Sequence, residues 1–217
     1  FHCHKYYGND LNKQITKMEI KTINLATRQI EVEVYAPAQT SEQVPAVLLL
    51  HELFGILDAY REDAQDLANR GYLVYVPNLF SGTAVQYCIR ALVSKAGRSN
   101  AEDSELNKEI HTLLDALKAD SRCNERLGMI GQCLTGGYVI QMAKRDDMLA
   151  PVIYHHSLGR EGAGVPENES LDDIRILQGH WSSVDPYCPA KRRNQLIEQL
   201  GDRVEAYIYN MPHGFRS

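Results

Sequence analysis

The chain has 217 residues, of which 44% are hydrophobic and 24% charged, a composition typical of a globular protein with one sizeable core. Its formal net charge of -5 provides no broad basic surface, so we expect no nucleic acid partner. Apolar runs such as Val47 to Leu50 are far shorter than the roughly 18 residues that span a membrane, so we expect no membrane partner either.

Cysteine usage and the N-terminal segment favour a cytoplasmic protein. The five cysteines are an odd number without regular spacing, in a chain too large to depend on disulfides, which favours reduced thiols. No charged stretch followed by an apolar stretch marks an export signal. His2, Cys3 and His4 are metal-ligating residue types, but no second cluster with paired spacing follows them, so we expect no metal.

The predicted elements begin with two amphipathic strands. Residues 17–24 and 29–35 both alternate apolar and polar side chains, which is the period of half-exposed strands. The short connection between them predicts an antiparallel pair. From Ala46 to Leu50 every residue is apolar, as expected for a parallel strand that is covered on both faces.

The rest of the chain alternates helical spacing with short apolar runs. The predicted helices cover residues 58–70, 84–96, 102–119, 138–144 and 189–200, and Gly71 and Gly201 are expected to end the first and the last of them. The predicted strands are 72–76, 127–130, 151–155, 174–178 and 204–209. This order predicts an α/β fold: one domain over residues 1–217, with a mostly parallel central sheet, an antiparallel N-terminal strand pair and helices on both faces.

Polar and reactive side chains follow several of the predicted strands. In α/β sheets the functional site lies at the carboxyl ends of the strands, which makes these side chains the site candidates. They are His51 and Glu52, Cys133, His155 and His156, His180, Asp185 and His213.

Residues 131–137, Gly-Gln-Cys-Leu-Thr-Gly-Gly, join a predicted buried strand to a predicted helix. A thiol at the tip of such a turn, with glycines around it, is typical of a nucleophile elbow, where the backbone is strained and the neighbours must be small. The local pattern alone fits an ordinary buried cysteine as well, because free cysteine behaves mostly as a small hydrophobe.

A nucleophilic thiol needs a base, and the base needs an acid that orients it. Cys133, Asp185 and His213 follow one another in the order nucleophile, acid and base, with room for strand and helix units between them. Other candidates remain open at this point. They are Asp172 and Asp173 for the acid, and His155, His156 and His180 for the base.

The segment 131–137 resembles the G-x-C-x-G-G elbow of the dienelactone hydrolase family, a branch of the α/β-hydrolases with cysteine in place of serine. Residues 51–55, 71–80 and 212–215 are similar to that family too, and the similarity runs from about residue 17 to the end. The resemblance implies an α/β-hydrolase fold and a Cys133–His213–Asp185 triad. It also implies that Glu52 lies beside the thiol and helps to control its charge.

The resemblance extends to candidates for substrate binding. By the α/β-hydrolase rule, the backbone N–H groups of Leu53 and Leu134 would form the oxyanion hole. The family binds a substrate carboxylate with arginines, and Arg216 and Arg90 are the candidates here, with Arg160 a distant third. Phe54, in the same loop as Glu52, is a further substrate-binding candidate.

Two departures from the family pattern carry expectations of their own. Thr135 stands two residues after the nucleophile, where the family has glycine, and its bulk predicts a slightly more open elbow. The family continues into a last helix after the base, whereas this sequence stops four residues after His213. We expect that a helix follows Ser217 in the full protein, the alternative being that the fold ends early.

Together these features predict a hydrolase that cleaves a lactone or small carboxylic ester through an acyl-enzyme, without metal or organic cofactor. We expect a monomer or small homo-oligomer whose partner is the small-molecule substrate. One alternative is a general esterase or thioesterase that uses the same triad. The other is a non-catalytic member of the fold that binds a ligand or senses oxidants through Cys133.

Overall fold

The eight strands of the computed structural model, which describes residues 17–38, 42–52, 54–80, 105–156 and 170–214, form one sheet in the order β1-β2-β4-β3-β5-β6-β7-β8. β1 pairs antiparallel with β2, and β2 pairs antiparallel with β4. From β4 to β8 all neighbours are parallel. The strands are β1 (Lys17–Asn24), β2 (Gln29–Ala36), β3 (Val44–Leu49), β4 (Leu73–Pro77), β5 (Cys123–Gln132), β6 (Met148–Tyr154), β7 (Leu177–Ser182) and β8 (Val204–Tyr209).

Helices cover both faces of this sheet, as predicted. α1 (Asp58–Asn69) packs on one face, while α2 (Glu105–Lys118), α3 (Gly136–Met142) and α4 (Ala190–Leu200) pack on the other. The predicted helix 84–96 and the segment His2 to His4 lie outside the described residues. Among the helices of the described ranges, none combines the length and the hydropathy needed to cross a lipid bilayer.

The all-apolar strand β3 forms the centre of the core. Leu48 and Leu50 join the larger hydrophobic cluster, beneath α2, α3 and α4, whereas Leu49 joins the smaller cluster beneath α1. All three are at most 1% exposed. Because both faces of β3 are covered, its sequence lacks the polar alternation that marks β1 and β2.

Glycines end α1 and α4 as predicted. Gly71 has φ +94° and Gly201 has φ +56°, both in the left-handed region where a residue with a Cβ atom is strained. The N–H group of Gly71 donates to the carbonyl of Ala68, which satisfies one carbonyl at the end of α1.

The predicted boundaries of β7 are wrong by several residues, and the error moves one site candidate. The strand covers Leu177–Ser182 rather than 174–178, so His180 lies within it and not after it. Ile174 is fully buried but precedes the strand. Residues 179–181, Gly-His-Trp, lack the apolar pattern of a buried strand, which is why the prediction missed them. Trp181 is nevertheless fully buried and packs over Gly179.

Asp120, at the turn between α2 and β5, ties three parts of the sheet together. Its buried carboxylate accepts hydrogen bonds from Lys21 Nζ (2.6 Å) in β1 and from the Tyr75 hydroxyl (2.7 Å) in β4. Arg122 donates to both carboxylate oxygens (2.8 and 2.9 Å) and also to Glu19 (2.9 Å). The hydrogen bonds from Arg122, Lys21 and Tyr75 hold the pKa of Asp120 well below its usual range.

Replacing Asp120 with asparagine should therefore destabilise the fold. We expect a loss of about 2–4 kcal/mol at pH 7, because the partly exposed side chains of Lys21 and Arg122 and the Tyr75 hydroxyl lose the buried charge that all three contact. A lowered carboxylate pKa stabilises the fold above the unfolded-state value of 3.8, so the difference between wild type and variant should shrink below that pH. Urea unfolding at several pH values measures both effects.

Asp146→Asn is the matched control, since Asp146 is fully exposed and pairs with Arg175 at 3.5 Å. We expect it to change stability by under about 1 kcal/mol. An equal loss in the two variants would show that the Asp120 network does not hold the sheet together.

Candidate active site

Cys133 lies at the tip of the turn that joins β5 to α3, as predicted. Its φ of 50° is in the left-handed region, which residues other than glycine rarely adopt. A 3-10 turn, Cys133–Thr135, follows, and α3 begins at Gly136. Strained backbone of this kind persists only where the surroundings enforce it, and it is concentrated at functional sites.

Two glycines let α3 pack closely against its neighbours and so hold this turn: Gly131 lets β5 approach α3, and Gly136 lets α3 approach His156 after β6. A Cβ atom on Gly131 would lie 2.7 Å from a methyl group of Val139 in α3 and 2.8 Å from the Thr135 carbonyl oxygen. A Cβ atom on Gly136 would lie 2.7 Å from that of His156. Any side chain at either position would push the elbow apart, which confirms the predicted need for small neighbours.

Thr135 closes the elbow, so the expectation that its bulk opens the turn is wrong. Its side chain is fully buried. The hydroxyl accepts a hydrogen bond from the Gln132 N–H (3.1 Å) and donates one to the Gln132 carbonyl (3.0 Å). A β-branched residue is stiff, and here that stiffness holds the hydroxyl against both backbone groups.

The structure brings Cys133, His213 and Asp185 into one line of contacts. His213 Nε2 lies 3.3 Å from Cys133 Sγ, and His213 Nδ1 lies 2.6 Å from Asp185 Oδ2. When Nδ1 carries the proton and donates it to the carboxylate, Nε2 is left to accept the thiol proton. The Asp185 side chain is 1% exposed and that of His213 is 14% exposed, so bulk water hardly competes for these contacts.

Asp185 also shapes the loop that carries it. Its second oxygen, Oδ1, accepts hydrogen bonds from the backbone N–H groups of Tyr187 (2.8 Å) and Cys188 (3.1 Å). The alternative acids, Asp172 and Asp173, are exposed and precede β7, at the opposite edge of the sheet. Asp185, in contrast, contacts the imidazole that faces the thiol.

The three competing histidines make other contacts and none is the base that faces the thiol sulfur. His155 is fully buried and its ring meets the His213 ring edge-on, with the centroids 4.6 Å apart. His156 Nδ1 accepts the indole N–H of Trp181 (3.0 Å). His180 Nδ1 lies 2.8 Å from the Tyr209 hydroxyl, and its ring stacks between two tyrosine rings.

Glu52 is 5% exposed in the loop after β3, and Tyr60 of α1 anchors its backbone. The Tyr60 hydroxyl accepts a hydrogen bond from the Glu52 N–H (3.1 Å). Burial raises the pKa of Tyr60 well above its usual range, and the charges of Glu52 and Cys133 raise it further. Both groups therefore lie within electrostatic reach of Tyr60, a buried residue of α1.

His51 joins two of the site loops and is held neutral. Its Nε2 accepts the backbone N–H of Leu79 (3.0 Å), so Nδ1 carries the proton and donates it to the Glu52 carbonyl (2.6 Å). Burial lowers the pKa of His51, which keeps the ring uncharged. We assign it a structural role.

The predicted substrate-binding residues are only partly described. Phe54 is 77% exposed beside the Glu52 loop. Leu134, directly after Cys133, is partly buried and packs against the larger hydrophobic cluster. Leu53, Arg90, Arg160 and Arg216 lie outside the described residues. Within the ranges that are described, no three His, Cys, Asp or Glu side chains converge as ligands for a metal ion.

Comparison with known proteins assigns the family. The model of the dienelactone hydrolase family matches residues 30–217. The chain belongs to this family. It is similar to carboxymethylenebutenolidase 1 of Cupriavidus pinatubonensis, with 25% identity over 83% of this chain and 79% of the relative. A carboxymethylenebutenolidase of Rhodococcus opacus is 24% identical over 71% of this chain and 62% of the relative.

A solved structure supports the fold of this dienelactone hydrolase family member. The crystal structure of a putative dienelactone hydrolase from Klebsiella pneumoniae superposes with a TM-score of 0.70 at 17% identity, over 92% of this chain and 88% of that one. The α/β-hydrolase fold expected from the sequence is confirmed. Family membership makes the protein a hydrolase of ester bonds.

The elbow of this family member should depend on the Thr135 hydroxyl. We expect Thr135→Val to cost about 1–3 kcal/mol and to lower ester turnover, because the buried Gln132 N–H loses its acceptor while the side-chain shape is kept. Urea unfolding and ester hydrolysis measure the two effects. Thr135→Ser keeps the hydroxyl and is the control; a variant series in which serine loses more than valine would contradict this role.

His156 should make the stability of the protein depend on pH. Burial lowers the pKa of His156 from 6.5 to about 4. Since the unfolded chain then binds the proton more readily than the folded one, stability should fall as the pH drops from 6.5 to 4, by on the order of 3 kcal/mol from this residue. His156→Asn keeps an acceptor for Trp181, and its stability should fall less over that interval. Parallel curves for wild type and variant in urea would exclude the effect.

Proposed function

We propose that this protein hydrolyses a lactone or small carboxylic ester with Cys133 as nucleophile, His213 as base and Asp185 as the orienting acid. One observation carries the proposal: the thiol, both imidazole nitrogens and the carboxylate form one relay, with heavy-atom distances of 3.3 and 2.6 Å. The order of these residues along the chain and the family membership support it. A compact relay of this kind suits acyl transfer, in which one proton is moved twice.

In the first half of the proposed reaction, His213 Nε2 takes the proton of the Cys133 thiol. The thiolate attacks the substrate carbonyl carbon, a C–S bond forms, and the carbonyl electron pair moves onto oxygen. When the oxyanion collapses, the C–O bond of the ester breaks and His213 returns the proton to the leaving oxygen. In a lactone this oxygen stays attached to the acyl group, because the ring has merely opened.

In the second half, water replaces the leaving oxygen at the site. His213 takes a proton from water while the water oxygen attacks the thioester carbon. The C–S bond then breaks and the thiolate recovers the proton from His213. Throughout the reaction, Asp185 Oδ2 accepts the Nδ1–H of His213, so that Nε2 keeps facing the sulfur.

The elbow supports this chemistry with backbone donors. Leu134 is the second residue of the 3-10 turn that begins at Cys133, and an N–H group in such a first turn has no acceptor within its own helix. We assign this N–H to the oxyanion hole, where loss of a donor typically costs roughly 3–4 kcal/mol of transition-state stabilisation. A donor at the start of a helix also benefits from the positive end of the helix dipole.

Buried Glu52 fits a role in controlling the thiol. Its Oε1 atom is inaccessible and accepts no hydrogen bond within the part of the chain that the structure describes. A buried carboxylate within electrostatic reach of the same tyrosine as Cys133 disfavours a second negative charge on the sulfur. We propose that Glu52 keeps the thiol protonated until a substrate arrives, which protects it from oxidants.

The other buried cysteines differ from Cys133 in their surroundings. Cys188 Sγ lies 3.9 Å from His156 Nε2, and burial raises the pKa of this thiol to about 12. Burial also raises the pKa of Cys123, the first residue of β5. Neither thiol is positioned to ionise near neutral pH, whereas Cys133 is half-buried beside a base.

Turnover by Cys133→Ala tests the proposal. On enol-lactones and small aryl esters we expect kcat/KM to fall by roughly 10³-fold or more, because no acyl-enzyme can form. Mass spectrometry of wild type during turnover should show an acyl group on the Cys133 peptide. A panel of esters and thioesters ranks the acyl groups that the site accepts.

Cys123→Ala is the matched control, because it makes the same change at the other end of β5, and it should keep turnover near that of wild type. Equal rates in wild type and Cys133→Ala would end the proposal. Reversible sulfenic acid at Cys133, with every ester intact, would favour a thiol sensor instead.

A further inference from the structure

His213 lies between two rings, one of them buried and the other facing solvent. On the inner side His155 meets it edge-on at a centroid distance of 4.6 Å and an interplanar angle of 71°. On the outer side Tyr187 meets it at 4.9 Å and 57°. His155 is fully buried, whereas Tyr187 is 61% exposed, yet the imidazole between them is 14% exposed.

The position of Tyr187 is set by the same carboxylate that holds the histidine. Asp185 Oδ1 accepts the Tyr187 N–H at 2.8 Å, and Oδ2 lies 2.6 Å from His213 Nδ1. Pro186 and Pro189 flank this loop and restrict its backbone. Because the backbone of this loop is restricted, holding the exposed Tyr187 ring against the imidazole costs little conformational entropy.

We propose that Tyr187 is a positioning residue for His213, which keeps Nε2 facing the Cys133 sulfur and stabilises the imidazolium that forms when the ring takes the thiol proton. This inference rests on the proposed function. Two physical effects carry it. The ring blocks rotation of the imidazole towards solvent, and the electron-rich face of an aromatic ring within about 6 Å attracts a cation.

The charged groups around His213 stay in place when Tyr187 is replaced. Among the described residues, the groups that contact His213 are Cys133 at Nε2, Asp185 at Nδ1, His155 on the inner side and Tyr187 on the outer side. The thiolate and the carboxylate stabilise the imidazolium in every variant. A change at Tyr187 therefore isolates the contribution of the aromatic ring.

The experiment compares Tyr187→Leu with Tyr187→Phe. We expect leucine to lower kcat/KM roughly 3- to 10-fold and to move the acidic limb of its pH profile to lower pH by about 0.5 unit, because the imidazolium loses the aromatic face beside it and gives up its proton more readily. Phenylalanine keeps the face and should match wild type. The pH dependence of Cys133 alkylation by iodoacetamide, followed on the Cys133 peptide by mass spectrometry, should show the same shift without any substrate.

Tyr207→Leu is the matched control. Tyr207 also lies 4.9 Å from a histidine ring, that of His180 in β7, whose Nδ1 lies 2.8 Å from the Tyr209 hydroxyl. Its loss should leave both pH profiles unchanged. Circular dichroism and thermal melts verify that each variant is folded.

The outcomes separate this inference from the proposed function. Wild-type kcat/KM and an unshifted acidic limb in folded Tyr187→Leu would overturn the role of Tyr187, as would a phenylalanine variant that behaves like leucine. Full turnover by Cys133→Ala would overturn the proposed function, and the alkylation profiles would still decide whether Tyr187 acts on the imidazole.

Discussion

The left-handed backbone of Cys133 is the constraint on which the candidate site depends. It turns the chain sharply from β5 into α3, so the sulfur projects from the carboxyl edge of the sheet towards His213. Gly131 lets β5 approach α3, Gly136 lets α3 approach His156, and the Thr135 hydroxyl bonds to both backbone groups of Gln132, and these contacts hold the turn. Strain at the reactive residue is thus balanced by ordinary packing and hydrogen bonds around it.

Asp185 is the second point at which contacts converge. One oxygen holds the imidazole and the other holds the backbone of its own loop, so the carboxylate couples His213 to the ring of Tyr187. The parallel order β3-β5-β6-β7-β8 brings the loops after these strands to one edge. Residues separated by 80 positions, Cys133 and His213, meet there at 3.3 Å.

Two neutral histidines lie in the polar interior beneath this edge. His51 links the loops after β3 and β4. His156, which packs against α3, accepts a hydrogen bond from the indole N–H of Trp181. Burial lowers the pKa of both rings, so they add no charge near the relay. The candidate base is therefore set apart from its neighbours by its carboxylate partner.

Local patterns in the sequence determined the class of the fold, most strand and helix positions, the elbow, and the order of Cys133, Asp185 and His213, because hydrophobic period and glycine placement are local properties. They misplaced β7, where Trp181 is buried by tertiary packing, and they misjudged Thr135, whose hydroxyl finds partners only once the turn forms. Which histidine faces the thiol, and the contact of Tyr187 with it, were decided only by the tertiary structure. Such contacts join loops that are distant in sequence, and no local pattern records the distance between them.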